Sequence, residues 1–375
     1  TGFAGGAKTN TMTWSEVGSI TLNAALTSGN YLGTGGNATG SVSPVGRFRP
    51  DHFMLTSPVL TNRRALACAS TFTYEGEELR ATFLLTARNG LATPTATTNY
   101  TTASAFAKLD GTVPANFGFG AVDLADAIPP LVATALTGRL TLGTSSGTWA
   151  GGTGNFTADL AVSRATPDGP FESFQLGVIP ADLDGVTLRA TDLNLDTDVP
   201  ANGADRVLLG SSKIRFGRLT IRNSSGSQLL PLSIPLETQY WNGSAFITNT
   251  ADSCTPIAAG NVAMSNFTGN LSGSPTCETA IIAGGTLSVG RRTLQLAAPG
   301  SGNNGSVDLT VNLGASASGT TCTTLGGAPV AATTANLPYL QGNWTGGAYN
   351  VNPSARATFG LYQGAEEVIF IRENY

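Results

Sequence analysis

The chain has 375 residues, a formal net charge of −4 and only 12% charged residues. Its 20 basic residues are scattered rather than clustered, which argues against nucleic acid and against an anionic membrane surface as partners. Hydrophobic residues make up 41% of the chain, which is enough for a core. The chain contains no run of about 18 apolar residues, so we predict no membrane-spanning helix.

Short alternating segments between loops rich in Gly, Thr and Ser predict an all-β fold of two or three antiparallel sandwich-like units. From length we expect about two or three domains. We divide the chain into an N-terminal β-module or linker over 1–45 and two β-sandwich domains over 46–200 and 201–375. The best helix candidate is 122–136, which Pro129-Pro130 interrupts.

In the first half of the chain, the pattern of residues 13–22 predicts a strand. Pro50 is expected to interrupt any central strand around it. His52 is the only histidine. It is either a catalytic base or a hydrogen-bonded structural residue, and the absence of a second histidine or a recognisable nucleophile favours the structural role. The glutamates in 75–78 predict a solvated turn, and 138–164 predict a hairpin.

An acidic segment follows, in which oxygen-bearing side chains recur at every second position: Asp192, Asn194, Asp196 and Asp198, with Asp205 beyond. In a loop these side chains could converge on Ca²⁺, which prefers six to eight oxygen ligands. On a strand they would form a solvated face, with the leucines between them packed on the other side. The spacing lacks the glycine and glutamate of an EF-hand loop, so calcium and a solvated face both remain open, and no other cofactor is predicted.

The segment 213–254 predicts three consecutive antiparallel strands, the first kinked by a β-bulge at Gly217-Arg218. Its basic residues are expected to face outward: Lys213, Arg215, Arg218 and Arg222. Two prolines predict that the second strand, 229–237, is an edge strand, and Asn242-Gly243 predicts a two-residue hairpin turn.

Trp241 and Trp344 are candidate ligand-binding residues, because exposed aromatic rings can stack on sugar rings. Packing in a hairpin or core is the alternative and is the commoner fate of such residues. Sequence motifs of hydrolases, phosphate-binding loops and metalloproteases are absent, so we predict a protein that is not an enzyme.

Near the C-terminus, Val307, Leu309, Val311 and Leu313 predict one half-buried strand. A closing hairpin is predicted from 357 to 372. Its last strand, 367–373, would offer an open edge for pairing with another chain.

The four cysteines, Cys68, Cys254, Cys277 and Cys322, include no CxxC pair. Two disulfides are the expected state, which implies an oxidising, extracytoplasmic location, although free buried cysteines are an alternative. Among the three possible connectivities, the short loop from Cys254 to Cys277 favours that pair and leaves Cys68 with Cys322.

Several stretches together resemble the C-terminal region of MshQ-type proteins, which are encoded with the mannose-sensitive haemagglutinin (MSHA) type IV pilus of Gram-negative bacteria. They are residues 14–18, 46–53, 68–74, 98–100, 215–243, 252–254, 353–360 and 371–375. The resemblance implies an exported, β-rich, pilus-associated surface protein and supplies no catalytic residues.

We therefore expect a non-enzymatic extracellular structural or adhesive protein of a pilus or cell surface, either a tip component or a filament subunit that assembles through strand edges. Its partners would be pilus subunits or copies of itself. The runner-up is a carbohydrate-binding surface module whose partners are surface glycans. A third class is a surface hydrolase, which would need a carboxylate pair or His52 in a cleft.

Overall fold

The computed structural model describes residues 8–66, 68–126, 132–189 and 206–360. These residues form several antiparallel sheets and contain no α-helix, which confirms the predicted all-β class. Short 3₁₀ turns lie at Arg64–Leu66, Pro114–Phe117, Thr137–Arg139, Ala259–Asn261 and Pro338–Leu340.

The strands up to residue 215 are β1 (Gly18–Ala25), β2 (Thr39–Phe48), β3 (His52–Thr61), β4 (Thr73–Tyr74), β5 (Leu79–Arg88), β6 (Gly120–Asp126), β7 (Val132–Ala135), β8 (Leu140–Ser146), β9 (Trp149–Ala150), β10 (Thr153–Val162), β11 (Phe171–Val178) and β12 (Val207–Arg215). Those that follow are β13 (Gly217–Ile221), β14 (Ser224–Gly226), β15 (Leu232–Trp241), β16 (Phe246–Thr248), β17 (Pro256–Ile257), β18 (Val262–Ser265), β19 (Ile281–Ala283), β20 (Gly285–Thr286), β21 (Arg291–Leu296), β22 (Gly305–Val311), β23 (Thr320–Thr321), β24 (Val330–Ala331) and β25 (Ser354–Phe359).

The helix candidate over 122–136 does not form, because most of its described residues belong to β6 and β7. These strands pair antiparallel, with Val122 opposite Ala135. The two prolines would leave each half of the segment too short to nucleate a helix, so ladder hydrogen bonds satisfy the backbone instead.

Contacts group the chain into two compact units. The first comprises Thr1–Thr61, Arg80–Leu160 and Gln175–Ser211, and the second comprises Asn62–Leu79, Ala161–Phe174 and Ser212–Tyr375. The division of the sequence at residues 45 and 200 stays a prediction.

The first unit contains the β1-β2 hairpin and a sheet in the order β3-β5-β10-β8. The adjacency of β8 and β10 confirms the hairpin predicted over 138–164. Aromatic side chains fill the interior: Trp149 lies 5.3 Å from Phe53, 4.8 Å from Tyr100 and 5.3 Å from Phe156, measured between ring centroids.

The second unit is built on two sheets, β13-β15-β21-β19 and β14-β25-β22-β18. Alternate residues of both sheets meet in one apolar core, to which Ile234 and Leu236 contribute from the first sheet and Val307 and Leu309 from the second. The strand predicted around Leu309 is therefore confirmed. Burying each large side chain contributes about 1.5–3 kcal/mol to folding.

The kinked strand predicted over 213–222 is two strands in different sheets. Strand β12 pairs with β4, whereas β13 pairs with β15, and the change falls at Phe216. A Cβ atom on Gly217 would lie 2.3 Å from the ring of Tyr74, so only glycine allows this approach. Arg215, expected outside, is buried because its guanidinium lies 4.2 Å from the ring centroid of Tyr240 and pairs with Glu172.

The predicted edge strand 229–237 is also wrong, since β15 lies inside its sheet between β13 and β21. Pro235 is tolerated because of where its missing N–H would point. The carbonyl of Pro235 accepts from the N–H of Arg222, one residue beyond the end of β13. A strand residue directs its N–H and C=O to the same side, so the proline interrupts no bond within the β13 ladder.

The hairpin at Asn242-Gly243 is present, but its loop spans residues 242–245 rather than two residues. Trp241 is paired with Phe246, and Asn242 donates its N–H to the carbonyl of Ala245. The side-chain Oδ1 of Asn242 accepts from the N–H groups of Ser244 and Ala245, which stabilises the longer loop.

Two disulfides form, but the predicted pairing is wrong. Cys68 bonds to Cys254 and Cys277 bonds to Cys322, with Cα–Cα distances of 6.1 and 5.7 Å. Short sequence separation favoured Cys254 with Cys277. The fold instead brings distant segments to the spacing that a disulfide requires.

A buried arginine network lies in the second unit and comprises Arg63, Tyr74, Glu77, Asp252, Thr255 and Tyr339. Arg63 donates from Nε to both oxygens of Glu77 at 3.0 and 3.1 Å and from Nη1 to Asp252 at 2.7 Å. Glu77, predicted to lie in a solvated turn, is only 2% exposed. The turn is present, but its predicted exposure to solvent is wrong for Glu77, because Arg63 supplies the positive charge that lets this carboxylate be buried.

The two tyrosines of the network complete its hydrogen bonds. Tyr339 donates its hydroxyl to Glu77 at 2.7 Å, and Tyr74 donates to Asp252 at 3.0 Å. Burial raises the pKa of both phenols, so they stay neutral donors. Burial also acts to raise the pKa of Asp252, but the charge of Arg63 and the hydrogen bond from Thr255 outweigh it and hold that pKa below its usual value.

Candidate functional site

The outer face of the β13-β15-β21 sheet carries the candidate site. Arg218 is opposite Gln239, Glu237 is opposite Arg291, and Trp241 is opposite Phe246. Because side chains alternate along a strand, residues 237, 239 and 241 all point away from the core, and their partners share that face. We call this surface the outer face.

One end of the outer face is aromatic. The rings of Trp241 and Phe246 lie 5.4 Å apart between centroids, in an edge-to-face arrangement. The guanidinium carbon of Arg218 lies 3.8 Å from the ring centroid of Phe246 and 5.1 Å from that of Trp344. Arg218 thus lies between the hairpin aromatics and Trp344, which is 39% exposed.

A loop closed by Gly342 and Val351 presents Trp344. These two residues exchange backbone hydrogen bonds of 2.9 and 3.0 Å. A Cβ atom on Gly342 would lie 2.4 Å from the indole of Trp344, so the ring packs directly on the glycine backbone. The loop also carries Tyr349, whose ring lies 4.9 Å from that of Phe216.

The side chain of Arg164 holds this loop in place through hydrogen bonds to backbone carbonyls. Its guanidinium donates to the carbonyls of Tyr349 at 2.7 Å, Gln341 at 2.6 Å and Gly217 at 2.9 Å. Burial lowers the pKa of Arg164 to about 10, a shift that the charge of Glu75 opposes. Arg164 therefore holds the loop against β13 and has a positioning role.

Arg218 differs from Arg164 because most of its donors are unused. Its Nε donates to Oε1 of Gln239 at 2.9 Å. Within residues 8–66, 68–126, 132–189 and 206–360, no group accepts a hydrogen bond from its two terminal nitrogens and no carboxylate lies within 4.0 Å. Burial lowers the pKa of Arg218, which an opposite charge on a ligand would reverse.

The other end of the outer face is a basic groove of about 560 Å³. Arg222 and Arg291 line it from the outer face, together with the carboxylate of Glu237. Arg222 lies 3.4 Å and Arg291 4.0 Å from Glu237, measured between nitrogen and oxygen, and both arginine side chains are about two-thirds exposed. Burial tends to raise the pKa of Glu237, but hydrogen bonds from Thr248 and Gln239 and the arginine charges lower it, so it stays ionised.

The face combines two kinds of recognition. Aromatic rings pack against flat, CH-rich surfaces such as those of sugars, and a free guanidinium binds carboxylate or sulfate groups with paired hydrogen bonds.

Sequence reasoning named Trp241 and Trp344, and the structure places both at the aromatic end. It missed Phe246, Gln239 and Arg291. Alternation of side chains along the strand from Trp241 would have identified Gln239. The cross-strand residues Phe246 and Arg291 can be identified only once the register between strands is known, and a single sequence does not give that register.

The predicted calcium ligands, Asp192, Asn194, Asp196, Asp198 and Asp205, lie outside the described residues, and calcium stays a prediction. Nearby Asp182 accepts the hydroxyl hydrogen of Tyr100 at 2.8 Å. In the parts of the chain that the structure describes, no three His, Cys, Asp or Glu residues are grouped as metal ligands.

His52 lies in the first unit beside Asp51, with its Nδ1 2.8 Å from a carboxylate oxygen. No hydroxyl or thiol of a described residue lies within hydrogen-bond distance of its ring. This position matches the hydrogen-bonded role favoured from the sequence. Across the described segments, no helix is long and apolar enough to cross a membrane.

Comparisons with known proteins divide the chain in two. Residues 16–206 match the third domain of DUF6701, and residues 215–374 match the fourth domain of DUF6701. No curated protein matches the chain. Because the two matches together cover most of the 375 residues, the chain belongs to the DUF6701 family.

Proposed function

We propose that this chain is a non-enzymatic, exported adhesive protein of a bacterial surface that acts by binding carbohydrate. The observation that carries the proposal is the partly exposed cluster of Trp241, Phe246 and Trp344 around Arg218. The two disulfides fit an extracellular location.

The cluster is suited to binding because its support is rigid. Trp241 and Phe246 stand on paired strands, and the loop of Trp344 is fixed by Arg164 and by the Gly342–Val351 pair. A surface held in its binding geometry loses little conformational entropy when a ligand binds. Aromatic residues on such a support commonly supply most of the binding energy of a site.

The more specific setting is an MSHA-like type IV pilus, at its tip or along the filament. The resemblance of this chain to MshQ-type proteins, at residues 46–53 and 215–243 among others, supports that setting. Strand 232–241 has neighbours on both sides and offers no free edge for assembly. Pairing through 367–373, which lies outside the described residues, stays a proposal.

We predict that Trp344→Ala weakens glycan binding at least about tenfold, because the exposed face of the aromatic end is lost. Trp14→Ala is the matched control, since Trp14 is 46% exposed but lies in the first unit. A glycan array followed by titration of the best ligand measures both. Equal loss in the two variants, or no glycan bound by the native chain, would contradict the proposal.

A further inference from the structure

The two ends of the outer face belong to one continuous surface. Strand β15 runs from Trp241 at the aromatic end to Pro235 in the basic groove. At about 3.3 Å per residue this stretch spans roughly 20 Å. A ligand that contacts both ends must therefore be extended.

The charge of this surface is opposite to that of the whole chain. The groove has two guanidinium groups on the outer face, from Arg222 and Arg291, and one carboxylate, from Glu237. Arg218 adds a third cation whose terminal nitrogens no described residue engages. The chain as a whole has a net charge of −4, so the face is a local site for anions rather than part of a generally basic protein.

We propose that the outer face binds an acidic polysaccharide, a polymer of carboxylate-bearing sugars. One sugar ring stacks on the aromatic end, Arg218 binds its carboxylate, and the following residues of the polymer place their carboxylates in the groove. The inference rests on the proposed function, because it names the class of glycan that the same site takes.

Two other polymer classes fit less well. A single-stranded nucleic acid also combines stacking with charge, but it commonly binds to a long basic surface, and the net charge of −4 opposes it. A peptide of aspartate and glutamate residues would satisfy the arginines but has no ring to pack on Trp241 and Trp344. A polyuronate, which is a polymer of carboxylate-bearing sugars, has rings for the aromatic end and carboxylates for the groove.

The test compares four probes of equal length on the full chain: an oligouronate, a neutral dextran, oligoglutamate and an oligodeoxythymidylate. We expect the oligouronate to bind about tenfold or more tightly than each of the others, with an affinity that falls as salt is added. The Arg222→Gln/Arg291→Gln variant is expected to lose about tenfold in affinity for the oligouronate.

Arg356→Gln is the matched control, because Arg356 is an exposed arginine on β25, paired with Asp308 in the other sheet. It should change oligouronate affinity less than twofold. Equal binding of dextran and oligouronate would overturn this inference and leave the proposed function standing. Tighter binding of oligoglutamate or oligodeoxythymidylate would also overturn it, and absence of any glycan binding would overturn both proposals.

Discussion

Replacing Arg63 with methionine is expected to destabilise the second unit by about 3–5 kcal/mol, because it leaves two buried carboxylates without their counter-charge. Arg63 is fully buried and pairs with Glu77 and Asp252 at 3.0 and 2.7 Å. Urea denaturation measures the loss, with hydrogen exchange of peptides from β15 and β22 as the readout for this unit.

Arg64→Met is the matched control for this prediction. Arg64 is the next residue, but its pair with Glu78 is 3.3 Å long and both side chains are at least one-third exposed. Exposed pairs contribute less than about 1 kcal/mol. Arg63→Lys should recover only part of the loss, since an ammonium group cannot reproduce the planar set of bonds to Glu77, Asp252 and Thr255. Equal stability of the two methionine variants would contradict the importance of the network.

Removing the Cys68–Cys254 disulfide should cost about 5 kcal/mol, by the dependence of chain entropy on loop length. The two cysteines are separated by 186 positions, which makes this the larger of the two closed loops. The same relation gives about 4 kcal/mol for the Cys277–Cys322 pair, separated by 45 positions. Denaturation of the two double-alanine variants compares these losses.

The pairing itself is tested by digesting the native protein without reduction. A peptide linking Cys68 to Cys254 is expected, together with one linking Cys277 to Cys322. Finding Cys254 joined to Cys277 would contradict the fold described above. Smaller destabilisation by the first double variant than by the second would show that strain or residual structure outweighs loop length.

The strands of the core could be predicted because burial of one face imposes a period of two. Leu309 and Ile234, with their alternate neighbours, follow this rule and are buried as expected. A one-residue shift would expose the whole set, so the pattern is strongly specified by the sequence.

Contacts across long sequence separation could not be predicted. Arg63 meets Asp252 across 189 positions, and nothing in either local sequence indicates the other. Glu77 looks solvated in the sequence because Arg63, which compensates its charge, lies 14 positions earlier and nothing in the local pattern pairs the two. The disulfide pairing failed in the same way, since proximity in sequence is a poor guide to proximity in a sandwich of non-consecutive strands.

Pro235 led to the wrong prediction of an edge strand. The rule behind that prediction concerns the N–H donor that proline lacks, and it does not concern the position of the strand in the sheet. The N–H that Pro235 lacks would point to the side on which β13 has already ended, so the proline is compatible with a central strand. In the candidate site, the two tryptophans could be named from the sequence, but Arg218 was only an outward charge until the register and the Trp344 loop placed it between aromatic rings.

If the proposed function is correct, the outer face is the surface that holds the ligand. Hydroxyl-radical footprinting of the full chain, with and without a saturating oligouronate, tests this directly. We predict that the ligand protects Trp241, Phe246 and Trp344, while Trp14, which is 46% exposed in the other unit, is labelled equally in both samples. Unchanged labelling of Trp344 under saturation, or protection of Trp14 instead, would contradict the account.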